Sequence, residues 1–215
     1  MGDSPTLAND DSRVVADEQG RLADQSLHDH TERLVPKMFE VADGVWCLVG
    51  NGLSNQTFIR GPEGIIAIDT GESVEEMHSA LSQLRRFSAE PVVAVVYTHF
   101  HYVNGTTALT EREPIGAIWG HERIAGNLER SATEIAPAYS RGLVEQFGIQ
   151  LPDEGPDGLV NVGLGLAYRM KHHAPSTPGY VAADHIFTQS VTVNVAGLEM
   201  SVTPAPSDAD DSVTL

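Results

Sequence analysis

The sequence predicts a domain of the α/β class, and three features of the chain support this prediction. Its first half contains two pairs of short apolar runs separated by turn residues, which predict antiparallel strands. Apolar residues at helical spacing follow, and they predict a helix that covers the sheet. Residues 92–97 (VVAVVY) then form a run without polar alternation, which is typical of a strand covered on both faces.

The first four strands are predicted from two hairpin signals. In residues 39–49, two apolar runs are separated by the dipeptide Asp43-Gly44, which favours a two-residue turn. Residues 55–60 and 65–69 flank the sequence GPEG, which favours a longer turn. We therefore expect four antiparallel strands at the start of the fold.

A helix is predicted directly after the fourth strand. Ser73 and Glu76 form a capping-box pattern, in which the two side chains satisfy free backbone N–H groups at the helix start. The apolar residues at helical spacing on one face are Val74, Met77, Leu81 and Leu84. This helix is expected to end before Pro91.

The sequence signals for the later elements are weaker. Residues 115–119 predict a strand, and residues 121–135 predict a helix. Residues 136–184 are rich in proline and glycine and show little periodicity, so we expect a long structured loop around a short helix near residues 141–147. Two strands about an Ala-Gly turn are predicted within residues 191–203.

The chain is expected to form one domain preceded by an arm. Residues 1–33 are polar and acidic and predict an N-terminal arm with one short helix near residues 22–34. Residues 34–215 are expected to form the domain, because 41% hydrophobic content in 215 residues is enough for one substantial core. Residues 212–215 resemble the first residues of a strand, so we expect a domain that is incomplete at its C-terminal end.

Composition excludes several classes of partner. With 30 acidic and 13 basic residues the formal net charge is −17, which disfavours binding to nucleic acid or anionic membranes. This charge fits either adaptation to high salt or biased codon usage. Cys47 is the only cysteine, so neither an intrachain disulfide nor a thiolate cluster is expected. Without a signal peptide or an apolar run near the roughly 18 residues of a membrane span, we expect a cytoplasmic protein with no membrane span.

A pair of histidines follows the buried strand, in the sequence YTHFHYVNGTTAL. In extended chain, residues two apart project to the same side, so His99 and His101 are able to face one metal ion. The carboxyl end of a buried strand is where α/β folds place their ligands. The sequence therefore indicates a metal site, and the alternative is two partly buried or surface histidines.

This stretch resembles the motif T-H-x-H-x-D-H-x-G-G of the metallo-β-lactamase fold hydrolases, with Thr98, His99, His101 and, loosely, Gly105 as matches. Other segments are similar to the alkyl sulfatases of that family, which hydrolyse long-chain alkyl sulfate esters. These segments are GLSN at 52–55, IDTGES at 68–73, FG and LP at 147–152, VGLGL at 162–166 and APSDADD at 205–211. The resemblance implies a metallo-β-lactamase type α/β/β/α sandwich.

The resemblance also implies a metal-ligand set. Asp208 stands where the family has a glutamate ligand, so His99, His101 and Asp208 are the predicted ligands. Two imidazoles and one carboxylate with an open fourth position are a catalytic zinc arrangement that lowers the pKa of bound water to about 7. We expect one zinc ion, with manganese or iron as alternatives. The alternative role of Asp208 is that of a turn residue in an acidic loop.

A second metal position is not expected. Val103 and Asn104 replace the family's aspartate and histidine, and valine has no lone pair to donate. The family's remaining ligands, a glutamate and a histidine, lie downstream of Leu215. These residues therefore predict a site for one metal.

Further roles are assigned from the resemblance. Asp69 is expected to hold a ligand histidine by a hydrogen bond, or to organise the following turn. Tyr102, Asn104 and His121 are candidates to donate hydrogen bonds to a sulfate or a bound water, and otherwise serve as loop or helix-cap residues. Arg141 is a candidate partner of a sulfate oxygen, and otherwise an exposed helix residue. His172 and His173, which match no family motif, are expected to be solvated.

The sequence thus predicts a hydrolase resembling alkyl sulfatases, in which metal-activated water attacks a sulfate ester. The catalytic candidates are Asp69, Tyr102 and Asn104, and Arg141 is the candidate for substrate binding. One alternative is an esterase or lactonase of the same fold that uses one metal. Another is a non-catalytic homologue kept as a binding scaffold. The expected partner is a small-molecule substrate. Relatives of this kind dimerise through segments outside this chain, so the resemblance leaves a homodimer as an open alternative.

Overall fold

The computed structural model describes residues 11–205 and 207–215, so the first ten residues of the predicted arm lie outside the described residues. The strands are β1 (Val14–Ala16), β2 (Leu22–Asp24), β3 (Lys37–Ala42), β4 (Val45–Val49), β5 (Gln56–Gly61), β6 (Gly64–Ile68), β7 (Val92–Val96), β8 (Ala117–His121), β9 (His185–Phe187), β10 (Val191–Val195), β11 (Leu198–Pro204) and β12 (Val213–Thr214). The α-helices are α1 (Gln25–Thr31), α2 (Val74–Leu84), α3 (Thr106–Thr110), α4 (Ile124–Ala132) and α5 (Ala136–Phe147). Short 3-10 turns lie at Asp11–Arg13, Glu32–Leu34, Phe100–Tyr102 and Lys171–His173.

A seven-stranded sheet forms the centre of the fold, with its strands in chain order from β3 to β9. β3 to β6 pair antiparallel, as the two predicted hairpins require. β6 to β9 pair parallel, so the loops that follow these strands emerge at one edge of the sheet. All residues of β6 and nearly all of β7 are buried, which explains why their sequences show no polar alternation.

A smaller antiparallel sheet, β10-β11-β12, packs against one face of the large sheet. Its contact with the large sheet is an apolar cluster of buried side chains. The buried members of that cluster are Ile66, Ile68, Ala94, Val96 and Val195. On the opposite face of β11, Glu199, Ser201 and Thr203 are exposed. This small sheet is the second β layer of the predicted sandwich.

Helices cover the other face of the large sheet and close the main core. α2 buries Met77, Ala80, Leu81 and Leu84 against the sheet, and its N-cap Ser73 accepts a hydrogen bond from the backbone N–H of Glu76 at 3.1 Å. α3 and α4 add apolar side chains to the same core. The described residues thus supply the helix, sheet and sheet layers of the α/β/β/α architecture.

The N-terminal segment packs on the irregular region before residue 165. The Asn161 amide donates to the Leu27 carbonyl at 2.9 Å, and the Arg21 guanidinium donates to the Leu159 carbonyl at 2.9 Å. α1 is shorter than the helix predicted for residues 22–34, because β2 pairs with β1 before the helix begins. A domain boundary between residues 33 and 34 stays a prediction.

Two other predicted boundaries differ from the structure. β8 covers residues 117–121 and lies two residues further towards the C-terminus than the strand predicted for residues 115–119. Because His121 still pairs with Phe187 in the sheet, α4 begins at Ile124 and not at residue 121. α5 begins at Ala136, earlier than predicted, with Pro137 in its first turn where proline is tolerated. No helix in the described part of the chain is long and apolar enough to cross a membrane.

The cap of α2 gives a test of the fold. Ser73→Ala removes the acceptor for the Glu76 N–H, so the free energy of unfolding is expected to fall by about 1 kcal/mol. Urea denaturation followed by circular dichroism measures this change. Ser82→Ala on the same helix, whose hydroxyl donates to the His78 carbonyl at an exposed site, is the matched control and is expected to change stability by less than about 0.5 kcal/mol. Equal effects of the two substitutions would contradict the capping role.

Candidate metal centre

The candidate site lies where the loops after β6 and β7 meet at the edge of the large sheet. The N–H of Thr70 donates to the Tyr102 carbonyl at 2.8 Å, and the N–H of Asn104 donates to the Gly71 carbonyl at 3.1 Å. Asp69 has a positive φ of 58°, which is uncommon for a residue with a side chain and turns the chain sharply after β6. The two loops therefore hold each other in one arrangement.

A third loop reaches the same place from the end of the described chain. The N–H of Val213 in β12 donates to the Thr98 carbonyl at 3.0 Å, and the N–H of Ala205 donates to the Ser212 carbonyl at 2.8 Å. These bonds close the loop that carries Asp208 beside the histidine loop. Residues far apart in sequence are thereby brought together.

The three predicted ligands converge at this point. Nδ1 of His101 lies 3.2 Å from Oδ2 of Asp208, and Nε2 of His99 lies 3.9 Å from the same oxygen. One ligand atom from each of the three residues lies within 4.8 Å of the others. The imidazole rings of His99 and His101 meet edge to face, with centroids 5.1 Å apart. The structure thus brings together the ligand set that the sequence predicts.

This donor set fits a tetrahedral metal ion. With metal–ligand bonds of 2.0 to 2.1 Å, two donors at a tetrahedral zinc lie roughly 3.3 Å apart. The separations of 3.2 and 3.9 Å at Asp208 need only small side-chain movements to reach that value. Two imidazole nitrogens and one carboxylate oxygen also leave a fourth position open, as in catalytic zinc sites.

A chain of hydrogen bonds fixes the orientation of His99. The Thr98 hydroxyl donates to Oδ2 of Asp69 at 2.5 Å, and the Thr98 N–H donates to Oδ1 of Asp69 at 2.8 Å. Because the single hydroxyl proton points to Asp69, the Thr98 oxygen accepts the Nδ1–H of His99, 2.8 Å away. Nε2 of His99 then keeps its lone pair for a metal. Asp69 therefore acts on the histidine through Thr98, and not by the direct hydrogen bond expected from sequence.

Two buried carboxyl groups lie near the histidines. Burial raises the pKa of Asp69 to about 6, although the Thr98 hydrogen bonds oppose this. Asp211 is 0% exposed, and neither of its carboxylate oxygens has a hydrogen-bond partner within the described ranges. Burial also raises the pKa of Asp211, whereas the charge of His99 opposes this. Burial lowers the pKa of His101, which favours the neutral imidazole that a metal requires.

The fold places the neighbouring residues Val103 and Asn104 in different surroundings. Val103 is 0% exposed and belongs to the main apolar core with Met77 and Leu109. Its carbonyl accepts a hydrogen bond from the Thr106 hydroxyl at 2.8 Å, which anchors the loop. Asn104 lies at the site surface, with its carbonyl accepting from the Gly179 N–H at 2.7 Å. Where the family motif has an aspartate ligand, this chain thus has a valine side chain in the apolar core.

Two cavities of about 220 and 260 Å³ adjoin His101, which lines both of them. Asn104 lines the first, whereas Tyr102 and Asp208 line the second. The sequence analysis did not select several other lining residues. These are Glu72, Tyr139 and Tyr168, which line both cavities, and Arg169, which lines the first.

Arg141 does not face these cavities. The face of α5 that lines the second cavity carries Tyr139, Gly142, Leu143 and Gln146, at the spacing of one helix face. Arg141 is exposed on a different side of the same helix. The structure thus agrees with the alternative role, that of an exposed helix residue.

Glu76 joins the alkyl-sulfatase-like segments by a buried polar network. Its Oε1 accepts a hydrogen bond from the Gln56 amide at 2.6 Å, and its Oε2 accepts from the Glu72 N–H at 3.3 Å. A side chain at Gly52 or Gly71 would overlap the Glu76 carboxylate. Both glycines are therefore required by the close approach of the loops to this network.

Burial perturbs the two glutamates of the network strongly. It raises the pKa of Glu72 to about 8, with a contribution from neighbouring Glu76, and it raises the pKa of Glu76 to about 7. The positive charge of Arg169 opposes both shifts. At neutral pH the Glu72 carboxyl group in the cavity wall is therefore largely protonated.

Two of the remaining histidines, His121 and His173, are buried in the fold. His121 is buried, and its Nδ1 accepts a hydrogen bond from the Arg123 N–H at 3.2 Å in the turn between β8 and α4. His173 was expected to be solvated, but it is 4% exposed and its Nε2 has no partner among the described residues. The 3-10 turn at Lys171–His173 folds it inward, while His172 stays exposed as predicted.

Comparison with known protein families identifies the superfamily of the chain. The profile described as Metallo-beta-lactamase superfamily matches residues 49–185, more than half of its length. The chain belongs to the metallo-beta-lactamase superfamily. The match includes the loop with His99 and His101, and the fold of this superfamily implies divalent-metal binding. The predicted fold class is thereby confirmed.

Relatives within the superfamily include alkylsulfatases. The chain is 32% identical over 163 residues to a linear primary-alkylsulfatase from Pseudomonas sp., covering 73% of this chain and 30% of the relative. It is 27% identical over 187 residues to an (R)-specific secondary-alkylsulfatase from Pseudomonas sp., covering 80% and 27%. The solved structure of a stereoselective inverting sec-alkylsulfatase from Pseudomonas sp. matches with a TM-score of 0.73 at 19% identity, covering 94% and 36%. The chain thus spans about a third of the length of these relatives.

The hydrogen bonds of Thr98 give a test of the site. Thr98→Val keeps the shape of the side chain but removes the hydroxyl between Asp69 and His99, so zinc affinity is expected to fall ten- to a hundredfold. Competition with a chromophoric chelator measures the dissociation constant. Thr110→Val, at an exposed position of α3, is the matched control and is expected to leave zinc affinity unchanged. Equal affinities of the wild-type protein and Thr98→Val would contradict the proposed orientation of His99.

The carboxyl groups with raised pKa values give a pH test on the metal-free protein. Asp69, Glu72 and Glu76 have folded pKa values of about 6, 8 and 7, above the ordinary 3.8 and 4.5. The folded chain therefore binds protons more tightly than the unfolded chain does. The stabilisation from these bound protons is complete below pH 4 and is lost as pH rises through 8. Glu72→Gln is expected to flatten the decline of melting temperature between pH 6 and 8, and the exposed control Glu199→Gln to leave it unchanged. A decline that is the same in all three proteins would refute this assignment.

Proposed function

We propose that this protein is a metal-dependent hydrolase of alkyl sulfate esters. The observation that carries the proposal is the convergence of His99, His101 and Asp208 beside two cavities. Membership of the metallo-beta-lactamase superfamily supports metal-dependent hydrolysis. The relatives that are alkylsulfatases support the sulfate ester as the substrate class.

One zinc ion is the proposed cofactor, with manganese or iron as alternatives. His99 through Nε2, His101 through Nδ1 and Asp208 through Oδ2 would hold it. When bound, the metal supplies a water molecule of lowered pKa and Lewis-acid stabilisation of negative charge. Asp69 and Thr98 hold His99 in the required tautomer.

The side chains around the cavities are proposed to bind the sulfate group. The Tyr102 hydroxyl and the Asn104 amide are available as hydrogen-bond donors, and burial keeps Tyr102 protonated by raising its pKa to about 12. Glu72 is also compatible with an anionic substrate, because its raised pKa leaves it neutral near pH 7. A charged carboxylate at that position would instead repel sulfate.

A second candidate is an esterase or lactonase of the same fold that uses one metal. The buried position of Val103 favours it, because the alkyl sulfatase pattern has a metal ligand at that point. A non-catalytic scaffold is the third candidate for the same reason. The cytoplasmic location and the homodimer also stay predictions.

Sulfate release from decyl sulfate tests the proposed function. The zinc-loaded protein is expected to release sulfate, and His101→Ala is expected to lower kcat/KM by about a thousandfold, since a catalytic metal contributes several kcal/mol. His185→Ala, which replaces an exposed histidine of β9, is the matched control and is expected to retain activity.

The other candidates give different results in the same assay. Hydrolysis of a lactone or carboxylic ester with decyl sulfate untouched would select the second candidate. No hydrolysis of any of these substrates with zinc, manganese or iron supplied would refute the enzymatic proposals and select the scaffold.

A further inference from the structure

The Glu72 side chain belongs to the wall that the two cavities beside His101 share. It lines both of them, as do His101, Tyr139 and Tyr168. Its backbone is fixed at this place, because the Glu72 N–H donates to Oε2 of Glu76 at 3.3 Å. A ligand that occupies either cavity therefore comes close to the Glu72 carboxyl group.

The Glu72 carboxyl group is not used by the fold. Within the described ranges it forms neither a hydrogen bond nor an ion pair. The neighbouring Glu75 carboxylate, in contrast, accepts two hydrogen bonds from Thr177, at 2.7 and 2.8 Å. Oε1 of Glu76 accepts a hydrogen bond from the Gln56 amide at 2.6 Å. Among these three glutamates, Glu72 is thus the one whose carboxyl group is left for a ligand.

The surroundings of Glu72 keep its carboxyl group protonated near neutral pH. Burial is the main cause of its raised pKa of about 8, and the negative charge of Glu76 adds to the effect, whereas Arg169 opposes it. An acid whose pKa lies near the working pH is largely protonated and still able to release its proton. These are the properties that general acid catalysis requires.

The other ionisable groups of the two cavities are unsuited to donate a proton. His101 and Asp208 are the proposed metal ligands, and the Arg169 guanidinium keeps its proton at all ordinary pH values. Burial raises the pKa of each tyrosine, so these hydroxyl groups hold their protons more tightly. The tyrosines are Tyr102, Tyr139 and Tyr168. Glu72 therefore remains as the proton donor among the described residues that line these cavities.

We propose that Glu72 is the general acid that protonates the ester oxygen of the departing alcohol. This inference rests on the proposed function and adds a catalytic role that binding of the sulfate group does not require. In this step the oxygen of water bonds to sulfur, the bond between sulfur and the ester oxygen breaks, and Glu72 gives its proton to the ester oxygen. One proton of the water restores the Glu72 carboxyl group, and the other stays on the hydrogen sulfate that leaves.

A comparison of two leaving groups tests this role. An alkoxide is a strong base that needs a proton to depart, whereas para-nitrophenolate is stable without one. Glu72→Gln keeps the size of the side chain and removes the acidic proton. It is expected to lower kcat about a hundred- to a thousandfold for decyl sulfate, and by less than about threefold for para-nitrophenyl sulfate.

Further variants and an infrared measurement control this comparison. Glu199→Gln, at an exposed position of β11, is expected to leave both rates unchanged. Glu72→Asp keeps the acid on a shorter side chain and is expected to recover part of the decyl sulfate rate. Infrared spectra of the metal-free chain near neutral pH are expected to lose the C=O band of a protonated carboxyl group in Glu72→Gln but not in Glu199→Gln. Circular dichroism of each variant shows whether the fold is retained.

The outcomes separate this inference from the proposed function. Equal losses of Glu72→Gln on the two esters would overturn the inference alone, because the wild-type protein would still release sulfate. Label from isotopically labelled water that enters the alcohol instead of the sulfate would also overturn it, since no alkoxide would then form. If the wild-type protein released no sulfate from either ester, the proposed function and the role of Glu72 would both be refuted.

Discussion

The double hydrogen bond from Thr98 to the buried carboxylate of Asp69 is the interaction on which the metal centre depends. It joins the ends of β6 and β7, and it uses the only hydroxyl proton of Thr98. His99 must therefore donate through Nδ1, which leaves Nε2 for a metal. The cost is a carboxyl group held in a buried site at a positive φ of 58°, and the raised pKa of Asp69 reflects that burial.

A second buried network supports the wall of the site at Glu72. Asn51 donates to Gln56, Gln56 donates to Glu76, and Glu76 accepts from the backbone of Glu72. The segments 52–55 and 68–73, which resemble alkyl sulfatases, meet at this network. In this chain Gly52 and Gly71 leave room for the Glu76 carboxylate, and the polar side chains of the network satisfy one another.

The sequence predicted those parts of the site that follow from regular patterns. β6 and β7 were recognisable from unbroken apolar runs, and the H-x-H spacing with the family motif indicated the ligands. Arg169 and the burial of His173 were not predicted, because the region after α5 has no periodicity that shows which way a side chain faces. Arg141 was selected from its position near a family segment, but its place on the helix turns it away from the cavities.

Val103 is buried in the apolar core and has no lone pair to donate, so we propose that the centre is limited to one metal position within the described residues. Metal stoichiometry after reconstitution and removal of free ions, measured by elemental analysis, tests this limit and the ligand set together. We expect one equivalent of zinc per chain, lost in His99→Ala and in Asp208→Ala and retained in Asp210→Ala. Two equivalents in the wild-type protein, or one equivalent that persists without His99 and Asp208, would contradict a single centre built from these ligands.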